Sequence, residues 1–390
     1  MRRRDTGRIA RLLAVLVACA GATADAAPAS ADTWGAFELL GHAVGPGTRA
    51  QLRWEAGQSF SGSPLRAPVI VLRGRAPGPT VCLAAAVHGD ELNGVEIVRR
   101  MMAGIAPDTL HGTLVGVPIV NLLGFAEGSR YLPDRSDLNR FFPGHPRSNS
   151  AARIAHSFFE NIVRRCDRLV DLHTGSFKRS NLPQLRANLN LPEVAQFVAQ
   201  FAGITVLHNA RERGTLRDAA TSAGIPAVTL ELGEPGFVQT EYVRFGVKAL
   251  RSVLGNLRMT NDHPEWVQPM RVFRRSRWLR AHHGGIPNAQ AELGEQVVEG
   301  QLLGRVINPL TNEDAEIRSP FNGLVLGRAH DQFVLPGYAT FHLARDPEPG
   351  ETLTSEDENT PGDDEEPPRG GRLKLETPAS GGRELRAYDD

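Results

Sequence analysis

His88 and Glu91 stand three residues apart in the stretch Ala84-Ala85-Ala86-Val87-His88-Gly89-Asp90-Glu91-Leu92-Asn93-Gly94-Val95-Glu96. The apolar run Val81 to Val87 predicts a buried strand that stops at His88-Gly89, and the amphipathic stretch Glu91 to Met102 predicts a helix. An imidazole and a carboxylate at that spacing, on the first turn of a helix, can point the same way and converge on one cation. A third ligand is offered by His173, which ends a second apolar run in Arg168-Leu169-Val170-Asp171-Leu172-His173-Thr174-Gly175. Two His and one Glu, with water in the fourth position, form the ligand set of a catalytic rather than a structural zinc ion. Surface helices carry His-x-x-Glu pairs freely, so the pair alone decides little.

Three further motifs occur in order. They are Arg130-Tyr131-Leu132-Pro133-Asp134 with Asp137-Leu138-Asn139-Arg140-Phe141-Phe142-Pro143-Gly144, then Asp171-Leu172-His173-Thr174-Gly175, then Val228-Thr229-Leu230-Glu231-Leu232-Gly233. Over roughly residues 65 to 257 this ordered set resembles the succinylglutamate desuccinylase and aspartoacylase family, the amidohydrolase branch of the zinc carboxypeptidase superfamily. The resemblance implies one zinc ion per chain on His88, Glu91 and His173. It implies Glu231 as the base that activates water, with Glu234 its local competitor. Arg130 then meets the oxyanion, Arg135 being the second candidate, and Asn139 with Arg140 holds the substrate carboxylate. Asp137 is expected to orient that pair. Asp171, two residues before a ligand, is expected either to support the metal site or to pack the strand end. Arg211, Arg213 and Arg217 are candidates for the pocket wall or for plain surface charge.

The elements that must position these groups alternate. Ala67 to Arg75 reads as a strand, Pro77-Gly78-Pro79 as a turn, and Thr113 to Val117 with Ile119 to Leu123 as a strand pair. Asn149 to Arg165 shows Ile154, Phe158 and Ile162 at helical spacing. Strands at 168–173, 204–208 and 226–232 are interleaved with helices at 192–202 and 215–223. A long helix with Val243, Val247, Leu250, Leu254 and Leu257 on one stripe closes the series. The expected fold is therefore α/β, a zinc carboxypeptidase-like mixed sheet with helices on both faces. His88, His173 and Glu231 fall at or near strand C-termini, where such sheets bind ligands.

Residues 33–262 are assigned to this catalytic part. Beyond His263-Pro264 helical periodicity is lost, and glycine-punctuated runs such as Glu292 to Gly304 and Ile317 to Val325 resemble a biotinyl/lipoyl-type β-sandwich, assigned to 265–346. A carrier of that type needs an attachment lysine. None stands between Lys248 and Lys374, so a structural or gating role remains. Related deacylases bear a β domain that in part roofs the active site, and His282 and His283 are candidates to reach substrate from there. Residues 347–390, rich in Pro, Gly, Glu and Asp, are expected to be a disordered acidic tail.

With 44 basic and 44 acidic residues the chain lacks the basic excess of a nucleic-acid binder. Met1-Arg2-Arg3-Arg4, the apolar Leu12 to Ala18 and the small residues after it predict a secretory signal over 1–31, cleaved after Ala26 or Ala31. The apolar segment is too short to cross a bilayer, which takes ~20 residues. Leu16-Val17-Ala18-Cys19 also resembles a lipobox, with Cys19 as an alternative lipid anchor, so the expectation is export to the periplasm or medium. Cys82 and Cys166 read as core residues, able to bridge in an oxidising compartment. The expected activity is zinc-dependent hydrolysis of the amide of an N-acyl amino acid or related small carboxylate. A zinc carboxypeptidase acting on peptides or cell-wall peptides is the alternative.

Overall fold

The computed structural model describes residues 34–58, 61–201, 203–262, 270–330 and 332–347. The secretory signal, its cleavage sites, Cys19 and the acidic tail lie outside them, apart from Pro347. The chain divides after Trp34, and every strand and helix among the described residues lies in the unit from Gly35 onward.

The hairpin of β1 (Phe37–Leu39) and β2 (His42–Val44) leads into β3 (Thr48–Gln58), β4 (Pro64–Arg73) and β5 (Ala76–Ala85). After β5 come α1 (Leu92–Gly104), β6 (His111–Val117), α2 (Leu122–Glu127), α3 (Ser150–Asn161), β7 (Arg168–His173) and β8 (Arg179–Ala187). Next are α4 (Pro192–Val198), β9 (Thr205–His208), α5 (Leu216–Ser222), β10 (Ala227–Gly233) and α6 (Thr240–Asn256). The last part is all strand: β11 (Arg271–Phe273), β12 (Ser276–Arg280), β13 (Ile286–Ala289), β14 (Gln296–Val297), β15 (Leu302–Ile307), β16 (Asp314–Arg318), β17 (Gly323–Ala329) and β18 (Ala339–Arg345).

At the centre of the main sheet β6, β5, β7 and β10 run parallel in that order, and β4 and β8 flank them antiparallel. The four parallel strands are apolar almost without a break because both of their faces are covered. Cys82, Ala84, Leu169 and Ala227 enter one core with α3 and α5, whereas Val81, Leu83, Ala85, Val170, Leu172, Val228 and Leu230 enter the other with α1, α4 and α6. Truncating a fully buried strand residue such as Leu172 to Ala costs ~2–5 kcal/mol by loss of transfer energy and cavity formation. The α/β architecture, with helices on both faces and a C-terminal β region, is the expected one.

Three local readings are corrected. The second member of the strand pair, 119–123, runs instead into α2. Asn121 begins a helix there by accepting a hydrogen bond from the Gly124 N–H (2.8 Å), a polar cap that the apolar pattern of Val120 to Leu123 conceals. The helix expected at 192–202 stops at Val198. Cys82 and Cys166 are core residues, and they are also bonded to one another, closing a loop with a sequence separation of 84.

The sheet does not end with the α/β part. β17 pairs antiparallel with β8 through Gly327–Asn181, and β18 and β12 extend the sheet beyond it. Val325, Phe341 and Leu343 pack with Leu303, Val306 and Ile317 from the three-stranded sheet β13-β15-β16, while Leu324, Leu326 and Ala344 pack with Leu182, Leu207 and Phe273. Alternate residues of β17 thus serve a small sandwich on one side and the α/β part on the other.

Candidate active site

Register brings the candidate residues together. Parallel pairing sets Glu231 of β10 directly beside His173 of β7, and Leu172 beside Ala85 of β5, three residues before His88. Between Ala85 and His88 the chain turns sharply. Ala86 has φ +47°, and a Cβ on Gly89 would fall 2.1 Å from the Gly124 carbonyl carbon, so only glycine fits there. α1 then starts at Leu92 with Glu91 as its N-cap, yet the Glu91 side chain caps nothing. Its carboxylate turns inward, where Oε2 accepts from the Thr174 N–H at 3.0 Å.

The convergence is tight. His88 Nδ1 lies 2.8 Å from Glu91 Oε1, His173 Nδ1 lies 2.9 Å from Glu91 Oε2, and the two Nδ1 atoms are 3.1 Å apart. The other ring nitrogens face carboxylates, His88 Nε2 at 3.1 Å from Asp137 and His173 Nε2 at 3.0 Å from Asp171. A carboxylate behind each imidazole places the proton on Nε2 and turns the Nδ1 lone pair outward. Two ring nitrogens and two carboxylate oxygens therefore meet at one point, where a cation or a shared proton must sit between them. Among the described residues His88, Glu91 and His173 are the group whose ligand atoms could share one metal ion.

The electrostatics make the same demand. Burial works against charge on His173, but Asp171 and Glu91 outweigh it and hold the imidazole well above its ordinary pKa. Burial likewise opposes charge on Glu91, and the two imidazoles overcome it, keeping the carboxyl far below the usual range. The pocket floor is built to stabilise positive charge, and a borderline-soft divalent ion on N, N and O donors suits it.

Arg130, largely buried, donates from Nη1 to His88 Nδ1 (3.0 Å) and Glu91 Oε1 (3.2 Å), and from Nη2 to Asp137 Oδ2 (3.2 Å). Asp137 therefore does more than orient Asn139 and Arg140. It accepts from the Asn139 N–H (2.9 Å), and it also supports His88 and Arg130. Asn139 Oδ1 accepts from the Leu216 N–H at the start of α5 (2.8 Å), and Arg140 Nη2 lies 3.4 Å from Glu212. Both line the cavity. Arg135, by contrast, is exposed at a positive φ of 65° and does not line the cavity, whereas Arg130 does.

Glu231 lines the cavity too and is 7% exposed. Its Oε2 accepts from Asn181 Nδ2 (3.1 Å), and Arg186 Nε lies 3.4 Å from Oε1. Burial pushes its pKa up against the opposing pull of Arg186 and His173, leaving a carboxyl that can both take and return a proton. Glu234 turns instead to Gln239, whose Nε2 donates to it at 3.0 Å. Of the three loop arginines, Arg217 lines the cavity, with Nη1 donating to Asn209 O (3.0 Å). Arg211 and Arg213 are solvent-facing and do not line it.

Several contributors escape a reading of the sequence, among them Arg179, Asn181 and Arg186 on β8, Glu212 behind Arg140, and Trp278 on β12. β8 carries Pro183, which removes a ladder donor and breaks the expected strand texture. No period-two pattern could have found both Asn181 and Arg186, because they stand five residues apart with a register shift opposite Glu231 and Gly233 between them. The C-terminal region reaches the cavity through Trp278, while His282 and His283 are solvent-exposed and do not line it.

Comparison with known proteins agrees with this arrangement. The succinylglutamate desuccinylase/aspartoacylase catalytic domain matches residues 77–257. The N-alpha-acetyl-L-2,4-diaminobutyric acid deacetylase of Halomonas elongata is 25% identical over 280 residues, which cover 67% of this chain and 80% of that enzyme. The succinylglutamate desuccinylase of Burkholderia orbicola is 30% identical over 244 residues, 56% of this chain and 69% of the relative. Of two further succinylglutamate desuccinylases the chain spans 58% and 51% of the length. A crystal structure of a succinylglutamate desuccinylase/aspartoacylase from Rhodobacter sphaeroides superposes with a TM-score of 0.70 at 25% identity, covering 77% of this chain and 96% of that one. With the motifs in order, the sheet register that gathers them and relatives that remove acyl groups, this chain belongs to the succinylglutamate desuccinylase/aspartoacylase family.

Proposed function

We propose that the chain is a zinc-dependent deacylase that hydrolyses the amide of a small N-acyl amino acid or related carboxylate. The observation that carries this is the meeting of His88 Nδ1, His173 Nδ1 and the Glu91 carboxylate within 3.1 Å, in a cavity that Glu231 also lines. His88, Glu91 and His173 would hold the metal. When bound, it supplies a hydroxide-strength nucleophile at neutral pH and a Lewis acid for the scissile carbonyl. Glu231 takes the proton from the attacking water and returns it to the leaving amine, and Asn181 keeps its carboxylate aimed. Arg130, fixed by Asp137 and Glu91, presents a guanidinium to the developing oxyanion. Arg140, backed by Glu212, grips the substrate carboxylate with Asn139 beside it.

The cavity is small, ≈ 70 Å³, and Arg130, Arg140, Arg179, Arg186 and Arg217 line it against Glu91, Glu212 and Glu231. That balance favours a compact anionic substrate over a peptide. The names of the relatives, an N-acetyl-diaminobutyrate deacetylase and succinylglutamate desuccinylases, point to acetyl and succinyl groups as the first to try. We further read 33–262 as the catalytic part and 265–346 as a β-sandwich that closes one side of the cavity through Trp278. Export is also part of this reading, supported by the Cys82–Cys166 bond, since disulfides persist in oxidising compartments.

Metal analysis, followed by a screen of acetyl- and succinyl-amino acids against short peptides, tests the proposal. Glu231→Gln is expected to keep its zinc and lose ~10²–10⁴-fold in kcat/KM. A purified chain with no zinc, or a Glu231→Gln variant at full rate, refutes it.

A further inference from the structure

The turn that follows β7 is strained. Between β7 and β8 the chain reverses direction, and across the turn the Arg179 N–H donates to Ser176 O at 3.1 Å. Both central residues have positive φ, Phe177 at 53° and Lys178 at 57°. Turns with that backbone ordinarily take Asn-Gly, because a Cβ crowds the chain at positive φ and a bulky side chain there is an outlier. The sequence Ser176-Phe177-Lys178-Arg179 therefore does not select this conformation by itself. Such strain persists only where the surrounding structure over-determines it.

The surroundings in question belong to the segment between β17 and β18. The Tyr338 hydroxyl donates to Phe177 O. Gln332 Nε2 lies 3.3 Å from Phe177 O and from Lys178 O, and 2.9 Å from the Tyr338 hydroxyl. The His330 N–H donates to Lys178 O at 2.9 Å. Both carbonyls of the strained pair are thus held from the C-terminal part of the chain.

What the strain secures is the place of one ring. Phe177 lies against two guanidinium groups that line the cavity, its centroid 5.3 Å from Arg130 Cζ and 5.6 Å from Arg179 Cζ. Glu91 and Asp137 hold Arg130 by its N–H edge. A ring within about 6 Å attracts the face of a cation, and so fixes the tilt that edge contacts leave open. We infer that Tyr338 and Gln332 are positioning residues for the oxyanion group. They hold the turn, the turn holds Phe177, and Phe177 holds the plane of Arg130. The inference rests on the role of Arg130 proposed above, and it gives the C-terminal strands a part in the rate as well as in closing the cavity.

The test compares the full chain with Tyr338→Phe/Gln332→Ala, with and without Lys178→Gly. Tyr338→Phe keeps the ring and removes only the donor. The double variant should lose about ten-fold in kcat with KM changed less than about two-fold, the signature of a group that acts in the transition state. Hydrogen exchange at the Arg179 amide should become about ten-fold faster as the turn opens. Lys178→Gly, which takes positive φ without cost, should restore both. Unchanged exchange, unchanged kcat, or losses that Lys178→Gly fails to restore each overturn the inference. Should the wild-type chain hydrolyse no acyl-amino acid, the deacylase reading fails by itself, and amide exchange alone upholds or overturns the clamp. Tyr338→Phe on its own, with about a three-fold effect on both readouts, keeps the test decisive if the double variant does not fold.

Discussion

Cys82 and Cys166 sit in the core on the α3 and α5 side of the sheet, 2% and 6% exposed, and their bond joins β5 to the segment just before β7. β5 and β7 are already hydrogen-bonded neighbours, pairing Cys82 with Leu169, so the bond adds little to the order of the folded chain. Its effect falls on the unfolded ensemble, where it ties residues with a separation of 84. A loop of that length loses ~15 cal/mol/K of closure entropy, which is ~4.5 kcal/mol at 25 °C. For a protein with a urea m-value of ~3 kcal/mol/M, reduction should lower the unfolding midpoint by ~1.5 M. The assay is urea unfolding of oxidised and reduced protein, followed by far-UV circular dichroism, with thiols counted before and after. Equal midpoints for a fully reduced and a fully oxidised sample would refute the entropic argument. Two free thiols in protein recovered from an oxidising compartment would refute the bond itself.

The geometry sets three further outcomes. His208 accepts the Leu189 N–H on Nδ1 (3.1 Å), and burial, then Arg274 and Arg217, hold its pKa down at about 4. Because the unfolded chain takes up that proton near pH 6.5, stability is full above this value. It should fall by up to ~3 kcal/mol as pH drops towards 4, a slope that urea midpoints measure and that His208→Gln should flatten. Asp137→Asn and Asp171→Asn should each weaken zinc binding by ~10–100-fold in a chelator competition, since each removes the carboxylate behind one imidazole. Asn181→Ala removes a donor that favours the Glu231 carboxylate, so the acidic limb of the kcat/KM profile should move to higher pH. An unmoved limb with unchanged kcat/KM would deny Asn181 its positioning role.

Much of the site is legible without the fold, for a physical reason. Residues at the ends of buried parallel strands must follow long apolar runs, so His88, His173 and Glu231 are each announced by the run before them. Short periodic helices such as α3 declare themselves by spacing. The hidden part depends on long-range pairing. β8 looks like a loop because Pro183 interrupts it, and it becomes a strand only between β10 and β17. Asn181 cannot be tied to Glu231, 50 residues away, without that register. The sulfur pairing of Cys82 and Cys166 depends likewise on β5 and β7 lying side by side. Trp278 reaches the cavity from a region whose texture says only that it is β.

β8 has one further implication. The break in texture near residue 263 invites an engineer to cut there, keeping the chemistry and discarding the remainder of the chain. Such a truncation would strip β17 from β8 and lay open a raw row of amides and carbonyls on the very strand whose Asn181 holds the Glu231 carboxylate. A shortened enzyme would be sticky as well as slow. For this fold the useful place to graft or trim is decided by which backbone is stitched to which, and a change in composition along the chain is a poor guide to it.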